Sequence, residues 1–360
     1  MRKGVSKILR WVNISLVLLT LGAYLAPYIH PEKSWVVPFL GLGYPILFAA
    51  NIGFIVFWAF FKKRFFILSL LCIIAGWSHV SSVLGTGFGS GSSDATNELK
   101  VMSYNVHFFN FYLHPGDKKE KTEKRVKEMD RIVNLILTEK PDILCLQETG
   151  SALEKDVLKK LETEIGLKHL HRVKHSQIKI LSKYPLTGSG KLDFDETANT
   201  AIFTDVNFNG EKVRLYNLHL QSLKFAERDY ETIALEDPES KRSWKGIRRV
   251  ASKIWRSSIK RAEQAEIAAA HIASSPHPVV VTGDFNDTPL SYTYRKIKTG
   301  MKDNFKSKGS GLGTTYAGPI PLQRIDYILT DPGFQVLNHK IIRKGYSDHY
   351  PLVSTLKLVP

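Results

Sequence analysis

Acidic, amide and imidazole side chains stand where several apolar runs of this sequence end. Such runs, rich in Val, Ile and Leu, are typical of buried strands. Strand ends that converge on one edge of a sheet would gather these groups into a cleft with a hard-cation site and an acid/base apparatus, which indicates hydrolysis of phosphate esters. The polar residues in question are Asn105, Glu148, His219, Asp284, Asn286, Asp326, Asp348 and His349.

A helix and a series of strands must position these groups. Glu120–Glu139 places apolar residues at helical spacing on one face. Strands outnumber helices, occur in mixed order and are separated by polar turns, so the pattern predicts an α/β sandwich of two packed sheets with helices on the outer faces. The predicted strands are Leu99–Tyr104, Ile143–Leu146, Lys179–Ser182, Ala201–Asn207, Lys212–Leu220, Pro278–Thr282 and Pro351–Leu358.

The first part of the chain has a different composition. Ile8–Ile29, Val36–Phe61 and Phe65–Leu84 are nearly free of charge, and each is close to the roughly 20 residues that cross a bilayer. A cleaved signal peptide would be shorter in its apolar region, and a soluble protein does not bury three such helices in succession. The sequence therefore predicts three transmembrane helices. A transporter is not indicated, because the only basic or acidic side chains in these stretches are Arg10, at the start of the first, and His79, near the outer end of the third.

The basic residues predict the orientation of these helices. Arg2, Lys3, Lys7 and Arg10 accompany the first span, and Lys62, Lys63 and Arg64 separate the second from the third. The loop His30–Trp35 carries only Lys33, offset by Glu32. By the positive-inside rule the amino terminus is cytoplasmic and everything after Leu84 lies outside. We expect a multi-pass inner-membrane protein with a periplasmic catalytic domain, and no disulfide between Cys72 and Cys145.

Three parts follow from these patterns: a membrane anchor (1–84), a Gly/Ser linker (85–97) and a catalytic domain (98–360). The predicted catalytic domain carries a basic excess, which favours an anionic partner such as a nucleic acid, a phosphorylated small molecule or an acidic lipid headgroup. Membrane lipid is the other expected contact, through the three helices, and no protein partner is inferred. Attraction to anionic lipid alone would also explain the basic balance.

One strongly basic segment, Lys241–Arg261, has aromatic and aliphatic residues at three- and four-residue intervals. It predicts an amphipathic helix whose Trp/Ile face packs on the domain and whose basic face is solvated. Docking on the outer leaflet of the membrane, or tracking phosphates beside the cleft, are the alternatives. The polar stretch Ser222–Glu239 before it is predicted to be a loop.

The polar groups form six blocks whose order resembles the endonuclease/exonuclease/phosphatase superfamily. The blocks are Ser103-Tyr104-Asn105, Leu146-Gln147-Glu148-Thr149, Asn217-Leu218-His219-Leu220, Gly283-Asp284-Phe285-Asn286-Asp287, Arg324-Ile325-Asp326-Tyr327 and Ser347-Asp348-His349-Tyr350-Pro351. Any single block is weak, but six in order are specific. The resemblance implies a DNase I-like fold for residues 98–360 and leaves the membrane helices outside it.

The resemblance also implies roles for these residues. It assigns Mg²⁺, with Mn²⁺ as an alternative, to Glu148, Asn105 and Asp348. It implies that His349, oriented by Asp326, contacts the scissile phosphate. It also implies that Asp284 positions or deprotonates the attacking water. Asn286 would donate to a phosphate oxygen, and His219 would lie on the leaving-group or phosphate side. Arg324 and His107 are candidates for substrate binding.

Departures from the family pattern argue against one branch of the superfamily. After the first strand the chain has Asn105-Val106-His107-Phe108, which differs from the abasic-site endonucleases, and His219 stands where they have Tyr. DNA repair is therefore not indicated. We expect a membrane-anchored, Mg²⁺-dependent phosphodiesterase of nuclease type. The alternatives are a phospholipase C-like enzyme or phosphatase acting on phosphorylated lipid or small-molecule headgroups, and a non-catalytic binding module on the same fold.

Overall fold

The computed structural model describes residues 3–61, 64–87, 97–110, 118–150, 155–194, 199–233, 241–318, 320 and 322–359. Most of the predicted linker 85–97 and the basic pair Lys62-Lys63 lie outside the described residues. The chain forms two compact units. We call Met1–Leu84, Leu223–Glu263 and Asp287–Lys296 the anchor unit, and Gly85–Ser222, Gln264–Asn286 and Ile297–Pro360 the catalytic unit. The division into an anchor, a linker and a catalytic domain stays a prediction.

The described residues form ten α-helices and fourteen strands in mixed order. The α-helices are α1 (Lys3–Leu25), α2 (Val37–Phe60), α3 (Phe66–Ala75), α4 (Trp77–Val80), α5 (Lys118–Glu139), α6 (Lys155–Ile165), α7 (Glu227–Ile233), α8 (Lys241–Ala273), α9 (Tyr292–Lys298) and α10 (Asn304–Lys308). The strands are β1 (Leu84–Thr86), β2 (Glu98–Asn105), β3 (Ile143–Gln147), β4 (His169–Arg172), β5 (Lys179–Ser182), β6 (Leu186–Leu192), β7 (Thr200–Phe208), β8 (Glu211–His219), β9 (Val279–Asp284), β10 (Lys302–Asp303), β11 (Ser310–Leu312), β12 (Asp326–Thr330), β13 (Phe334–Ile341) and β14 (Leu352–Leu358).

The catalytic unit is built on two six-stranded sheets. One has the order β10-β12-β9-β8-β7-β6 and the other β13-β14-β2-β3-β5-β4. Each sheet contains one parallel pair, β8 with β9 and β2 with β3, among antiparallel neighbours. The predicted two-sheet α/β sandwich is therefore confirmed.

Alternation along β2 and β3 divides their side chains between two cores. Val101 and Cys145 belong to the core that fills the space between the sheets, together with Ile202 and Val280 of the other sheet. Their neighbours in sequence, such as Met102, point the other way into a second core with the apolar faces of α5 and α6. Because successive strand residues point to opposite faces, a strand covered on both sides is apolar throughout, as these runs are.

A buried amide pair ties the two sheets together close to the strand ends. The Nε2 of Gln147, on β3, donates to Oδ1 of Asn217, on β8, at 2.6 Å. The Nδ2 of Asn217 in turn donates to the backbone carbonyls of Leu146 and Lys179 at 3.0 Å each. Both side chains are fully buried. These bonds therefore fix the position of one sheet relative to the other next to the polar strand ends.

The anchor unit differs from the sequence prediction in its third helix. Two helices, Gly4–Tyr28 and Val37–Phe60, are long and apolar enough to cross a membrane, and among the described residues no third helix is both. The predicted span Phe65–Leu84 instead contains the ten-residue α3 and the short α4, separated at Gly76. A side chain at Gly76 would meet the Tyr24 ring at 2.1 Å, so the glycine that permits this close approach also interrupts the helix.

Two further differences concern the segment before the basic helix and the helix itself. Residues predicted as a loop, Ser222–Glu239, include the helix α7. Asp229 on α7 accepts from Arg249 at 2.7 Å and from Lys253 at 2.6 Å, so charges distant in sequence stabilise this helix. The basic helix is present as predicted and continues beyond Arg261 to Ala273.

A buried histidine predicts acid sensitivity of the catalytic unit. Burial lowers the pKa of His339 to about 4, and its Nδ1 lies 2.8 Å from the Ser354 hydroxyl. Between pH 6.5 and 4 the unfolded chain binds a proton here that the folded chain does not. Stability contributed by the neutral ring is therefore lost as pH falls, by up to about 3 kcal/mol.

The variant His339→Gln cannot titrate, so we expect its free energy of unfolding, measured in urea at several pH values, to fall less steeply below pH 6.5. The control is His175→Asn, at an exposed histidine, which should keep the parent slope. An equal slope in His339→Gln and the parent protein would contradict the prediction.

Candidate active site

The two parallel strand pairs deliver the predicted residues to neighbouring positions. Asn105 ends β2 opposite Gln147, the last residue of β3, and Glu148 follows directly. In the other sheet His219 ends β8 opposite Asp284, the last residue of β9. Asp326 begins β12 and also lies opposite Asp284, across an antiparallel ladder. The expected convergence of strand ends is therefore found.

Asn105 and Asp284 join the ends of the two sheets. The Asn105 Nδ2 donates to Glu148 Oε1 at 3.2 Å and to Asp284 Oδ2 at 3.0 Å. His219 Nε2 lies 3.3 Å from Glu148 Oε1 and 4.0 Å from Asp284 Oδ2. Glu148, His219 and Asp284 thus bring their ligand atoms within 4.8 Å of one another.

A second group of three shares Asp284 with the first. His349 Nδ1 lies 2.9 Å from Asp326 Oδ2, while its Nε2 lies 3.8 Å from Asp284 Oδ2. The ligand atoms of Asp284, Asp326 and His349 again lie within 4.8 Å of one another. Asp326 therefore sets the ring orientation and leaves Nε2 turned toward the shared carboxylate.

The ionisation of Glu148 is governed by its neighbours. Burial acts to raise its pKa, but the hydrogen bond and charge of His219, the charge of His349 and the Asn105 amide together lower the pKa to about 2. The converse holds for His219, where burial acts to lower the pKa and the Glu148 carboxylate outweighs it, so that the pKa is raised. Near neutral pH, Glu148 therefore carries a full negative charge.

The pKa values of Asp284 and His349 are shifted in the direction that suits proton transfer. Burial raises the pKa of the Asp284 carboxyl; His349 opposes this shift and Asp326 adds to it. Burial would lower the pKa of His349, but the carboxylates of Asp326 and Asp284 raise it well above its ordinary value. The site therefore pairs a weakened acid with an imidazole that is readily protonated, a combination suited to acid/base catalysis.

Glu148 and Asn286 have left-handed backbone conformations. Glu148 has φ of 51° and Asn286 has φ of 52°, and both follow strand ends. The amide of Asn286 caps the Asp284 carboxylate: its backbone N–H donates to Oδ1 at 2.8 Å and its Nδ2 to Oδ2 at 3.2 Å. For Glu148 this conformation costs energy, and such strain clusters at functional sites.

Gly283, on β9, lies opposite Leu218 of β8. Its φ is 129°, and a Cβ there would lie 2.0 Å from the Leu218 carbonyl oxygen. We expect Gly283→Ala to destabilise the catalytic unit by about 3 kcal/mol or more and to lower activity by displacing Asp284. Thermal unfolding and activity per folded molecule check this. Gly345→Ala is the control, because a Cβ at Gly345 meets nothing within 4 Å; equal effects of the two variants would contradict the prediction.

Two predicted residues pair with each other and join neither group of ligands. Asp348 Oδ1 lies 3.5 Å from His107 Nδ1 and 3.3 Å from the Ser347 hydroxyl. The two side chains of this pair are about one quarter exposed, more than those of Glu148, His219, Asp284 and His349. Asp348 as a metal ligand and His107 as a substrate contact stay predictions, and both residues lie on the open side.

The position of Arg324 argues against its predicted role in substrate binding. Its guanidinium forms two hydrogen bonds to the Asp303 carboxylate, at 3.0 and 2.6 Å, and lies 4.9 Å from the ring centres of Phe305 and Tyr327. The side chain is 4% exposed. Arg324 thus supports the fold by a buried, bidentate ion pair.

Sequence reasoning missed the groups that hold the site residues in place. The Thr315 hydroxyl accepts from the backbone N–H of Asp326 at 3.1 Å, and the Ser347 hydroxyl donates to the Asn105 carbonyl at 2.9 Å. The Tyr316 ring packs edge-on against His349, with 5.2 Å between centroids. Ser347 was visible in its block beside Asp348, whereas Thr315 and Tyr316 stand in a stretch with no local signal.

The donor set fits a divalent cation. Carboxylate oxygens are the ligands that hard cations prefer, and Glu148 supplies one that stays ionised. The crowding of Glu148 and Asp284 around one amide places negative charge where a cation would offset it. Of the residues predicted to bind metal, Glu148 and Asn105 are in contact with each other, and Asp284 adds a further oxygen.

Comparison with known families agrees with this geometry. The sequence profile described as the Endonuclease/Exonuclease/phosphatase family matches residues 102–349, which contain every residue of both ligand groups. The chain belongs to this family. It is therefore an enzyme of the phosphoester-hydrolysing class. A second profile, described as a domain of unknown function, matches residues 6–83. No curated protein matches the chain.

Solved structures share the fold of the family domain. The human Nocturnin catalytic domain, with a bound sulfate anion, is 16% identical with a TM-score of 0.51, over 73% of this chain and 95% of that one. A family protein from Bacteroides thetaiotaomicron is 16% identical with a TM-score of 0.50, over 73% and 98%. At this identity the likeness shows the fold alone.

Proposed function

We propose that this chain is a membrane-anchored, Mg²⁺-dependent phosphodiesterase of nuclease type whose catalytic unit acts outside the cytoplasm. The observation that carries the proposal is the sharing of Asp284 by the two groups of ligands. One group can hold a cation, and the other pairs an imidazole with a carboxylate, so a phosphate between them would meet both.

Glu148 and Asn105 would hold the cation, with Asp284 beside them. Mg²⁺ bound there would polarise a phosphoryl oxygen and offset the charge that develops on the leaving oxygen. His349, protonated and oriented by Asp326, would place its Nε2–H against a nonbridging phosphate oxygen.

Asp284 would take a proton from the attacking water as the water oxygen bonds to phosphorus. Its raised pKa suits a group that must accept a proton near neutral pH. The bond from phosphorus to the leaving oxygen then breaks, and His219, whose pKa is also raised, would give that oxygen its proton. Asn286, hydrogen-bonded to both oxygens of Asp284, would hold the carboxylate in position.

Packing within the anchor unit supports an odd number of membrane crossings. The Arg10 guanidinium lies 4.1 Å from the Phe65 ring centre, so the third apolar segment begins at the basic end of α1. Farther along, the Tyr24 ring stacks on His79 with 5.0 Å between centroids. The segment made of α3 and α4 thus runs beside α1 toward the opposite end, although it is shorter than a full span.

Polar side chains hold these helices together. Asn13 donates to the Ser69 hydroxyl at 2.7 Å and accepts from the Trp58 indole at 3.1 Å. Hydrogen bonds of this kind are a typical stabilising contact between helices in lipid. A third crossing by α3 and α4, with a cytoplasmic amino terminus and a periplasmic catalytic unit, is the topology we propose for an inner-membrane protein.

One assay tests both the chemistry and the topology. Spheroplasts that express the full chain should hydrolyse a membrane-impermeant aryl phosphodiester as fast when intact as when lysed. The activity should require Mg²⁺ and disappear with EDTA. Activity that appears only after lysis would contradict the topology, and hydrolysis that persists in EDTA would contradict the metal. Adding DNA, phospholipids and phosphomonoesters to the purified chain then ranks the substrate classes.

A further inference from the structure

The helix α8 contacts the loop between the two long apolar helices. The Trp255 indole Nε1 donates to the Pro31 carbonyl at 2.9 Å. Pro31 belongs to the turn that joins α1 to α2, and large exposed aromatic side chains, Tyr28 and Trp35, stand on either side of it. Aromatic residues at helix ends are typical of the membrane–water interface. If α1 and α2 cross the membrane, as proposed, Trp255 lies at that interface.

The side of α8 that carries Trp255 continues toward the start of the helix. Trp244 and Arg248 precede Trp255 by about three and two turns and lie on nearly the same face. A different face holds α7, through the ion pairs of Arg249 and Lys253 with Asp229. The face that contacts the interfacial loop at Trp255 is therefore the face that presents Trp244 and Arg248.

This face is open at its amino-terminal end. Trp244 is 68% exposed and Ile247 is 37% exposed, in contrast to Ile254 farther along, which is buried. Lys245 and Arg248 are exposed beside them, and within the part of the chain that the structure describes neither has an acidic partner. The predicted packing of the whole Trp/Ile face on the domain is thus wrong for its first two turns.

We propose that this patch, formed by Trp244, Lys245, Ile247 and Arg248, docks on the anionic phospholipid surface of the membrane that holds the anchor. The inference depends on the proposed membrane anchoring. An indole and an aliphatic side chain can enter the headgroup region, while the adjacent cations pair with lipid phosphates. The charge of the patch and its attachment to an interfacial loop favour lipid over other anionic partners.

The test places a polarity-sensitive fluorophore at residue 244 of the full chain by Trp244→Cys. Both natural cysteines are buried. The labelled protein is reconstituted in vesicles of phosphatidylcholine alone or with phosphatidylglycerol. We expect stronger emission and protection from the neutral quencher acrylamide only when phosphatidylglycerol is present. The matched control is Lys260→Cys, an exposed position on the side of α8 opposite Trp244, which should stay accessible to quencher in both.

The basic residues are tested by combining Lys245→Gln and Arg248→Gln with the label. Each cation near an anionic surface strengthens docking by about fivefold, so losing both should weaken the docking equilibrium by about 25-fold. Equal quenching in the two vesicle types would overturn the proposal. Protection that increases with protein density and not with anionic lipid would also overturn it, because that result indicates contact with a second copy of the chain. Protection that appears only with added nucleic acid would overturn it as well.

Alkaline carbonate extraction separates this proposal from the proposed anchoring. A chain that resists extraction while residue 244 stays exposed would overturn the docking and leave the anchoring in place. A chain that is extracted would overturn both.

Discussion

Replacing Glu148 by glutamine is expected to lower kcat/KM for a phosphodiester by about 10³-fold, since a metal-held phosphoryl oxygen is worth several kcal/mol in the transition state. Glutamine keeps the size of the side chain and can still accept from the Asn105 amide, which now bonds to Glu148 at 3.2 Å. It removes the negative charge that the low pKa of Glu148, about 2, maintains at neutral pH. The loss should therefore come from cation affinity and not from unfolding.

Mg²⁺ titration of the variant by calorimetry and by activity checks this explanation. We expect the cation to bind more weakly and a part of the activity to return at high Mg²⁺, with an unchanged unfolding temperature. Glu162→Gln, at an exposed glutamate on α6, should retain full activity. If Glu148→Gln kept parental activity and cation affinity, the metal assignment would be wrong.

Removing either member of the His349–Asp326 pair is expected to cost about 10²- to 10⁴-fold in kcat, the range for a positioned acid/base group. His349→Gln removes the protonated nitrogen. Asp326→Asn leaves the geometry nearly intact but removes the carboxylate that lies 2.9 Å from Nδ1. The ring would then lose its raised pKa and its orientation.

Because the two residues act as a unit, the double variant should be little worse than His349→Gln alone. Single-turnover kinetics on the three variants measure this coupling. His175→Asn is the control, since asparagine tolerates the positive φ of 62° at that exposed position. Losses that simply add would show that Asp326 and His349 act independently, against the proposed mechanism.

The polar ends of the strands were predictable from the sequence because they depend on local pattern. Each apolar run predicts a strand. A polar residue that follows the run then lies at the end of that strand, at an edge of the sheet. Asn105, His219 and Asp284 are found at such positions. The contact between Asn105 and Asp284 spans 179 positions of the chain, and here the order of the family blocks supplied what the local pattern lacked.

Arg324 illustrates a part of the site that the sequence could not decide. It stands two residues before Asp326, within a family block, and an arginine next to a catalytic acid is a reasonable phosphate ligand. Its side chain instead turns to Asp303. A long, flexible arginine side chain pairs with the buried carboxylate that the fold places nearest. The residues next to Arg324 in the sequence do not indicate which carboxylate that is.

The same limit applies to the helices. Periodicity predicted α8 correctly, but it could not tell that Trp255 would be anchored and Trp244 left open, because both share one face. Composition predicted a third apolar span, but the helix is interrupted at Gly76 where Tyr24 packs closely against it. Hydropathy reports the preference of a segment for lipid, and it carries no information on which ring will approach its backbone.

The two-sheet sandwich and the set of residues at the strand ends were predictable without coordinates, since both follow from the period of apolar side chains and from the order of six short blocks. The folded chain adds that Asp284 belongs to both ligand groups, that Asp348 lies beside His107, and that Arg324 pairs with Asp303. Burial patterns are local, whereas the partner of a buried charge lies on a segment that approaches it only when the chain folds.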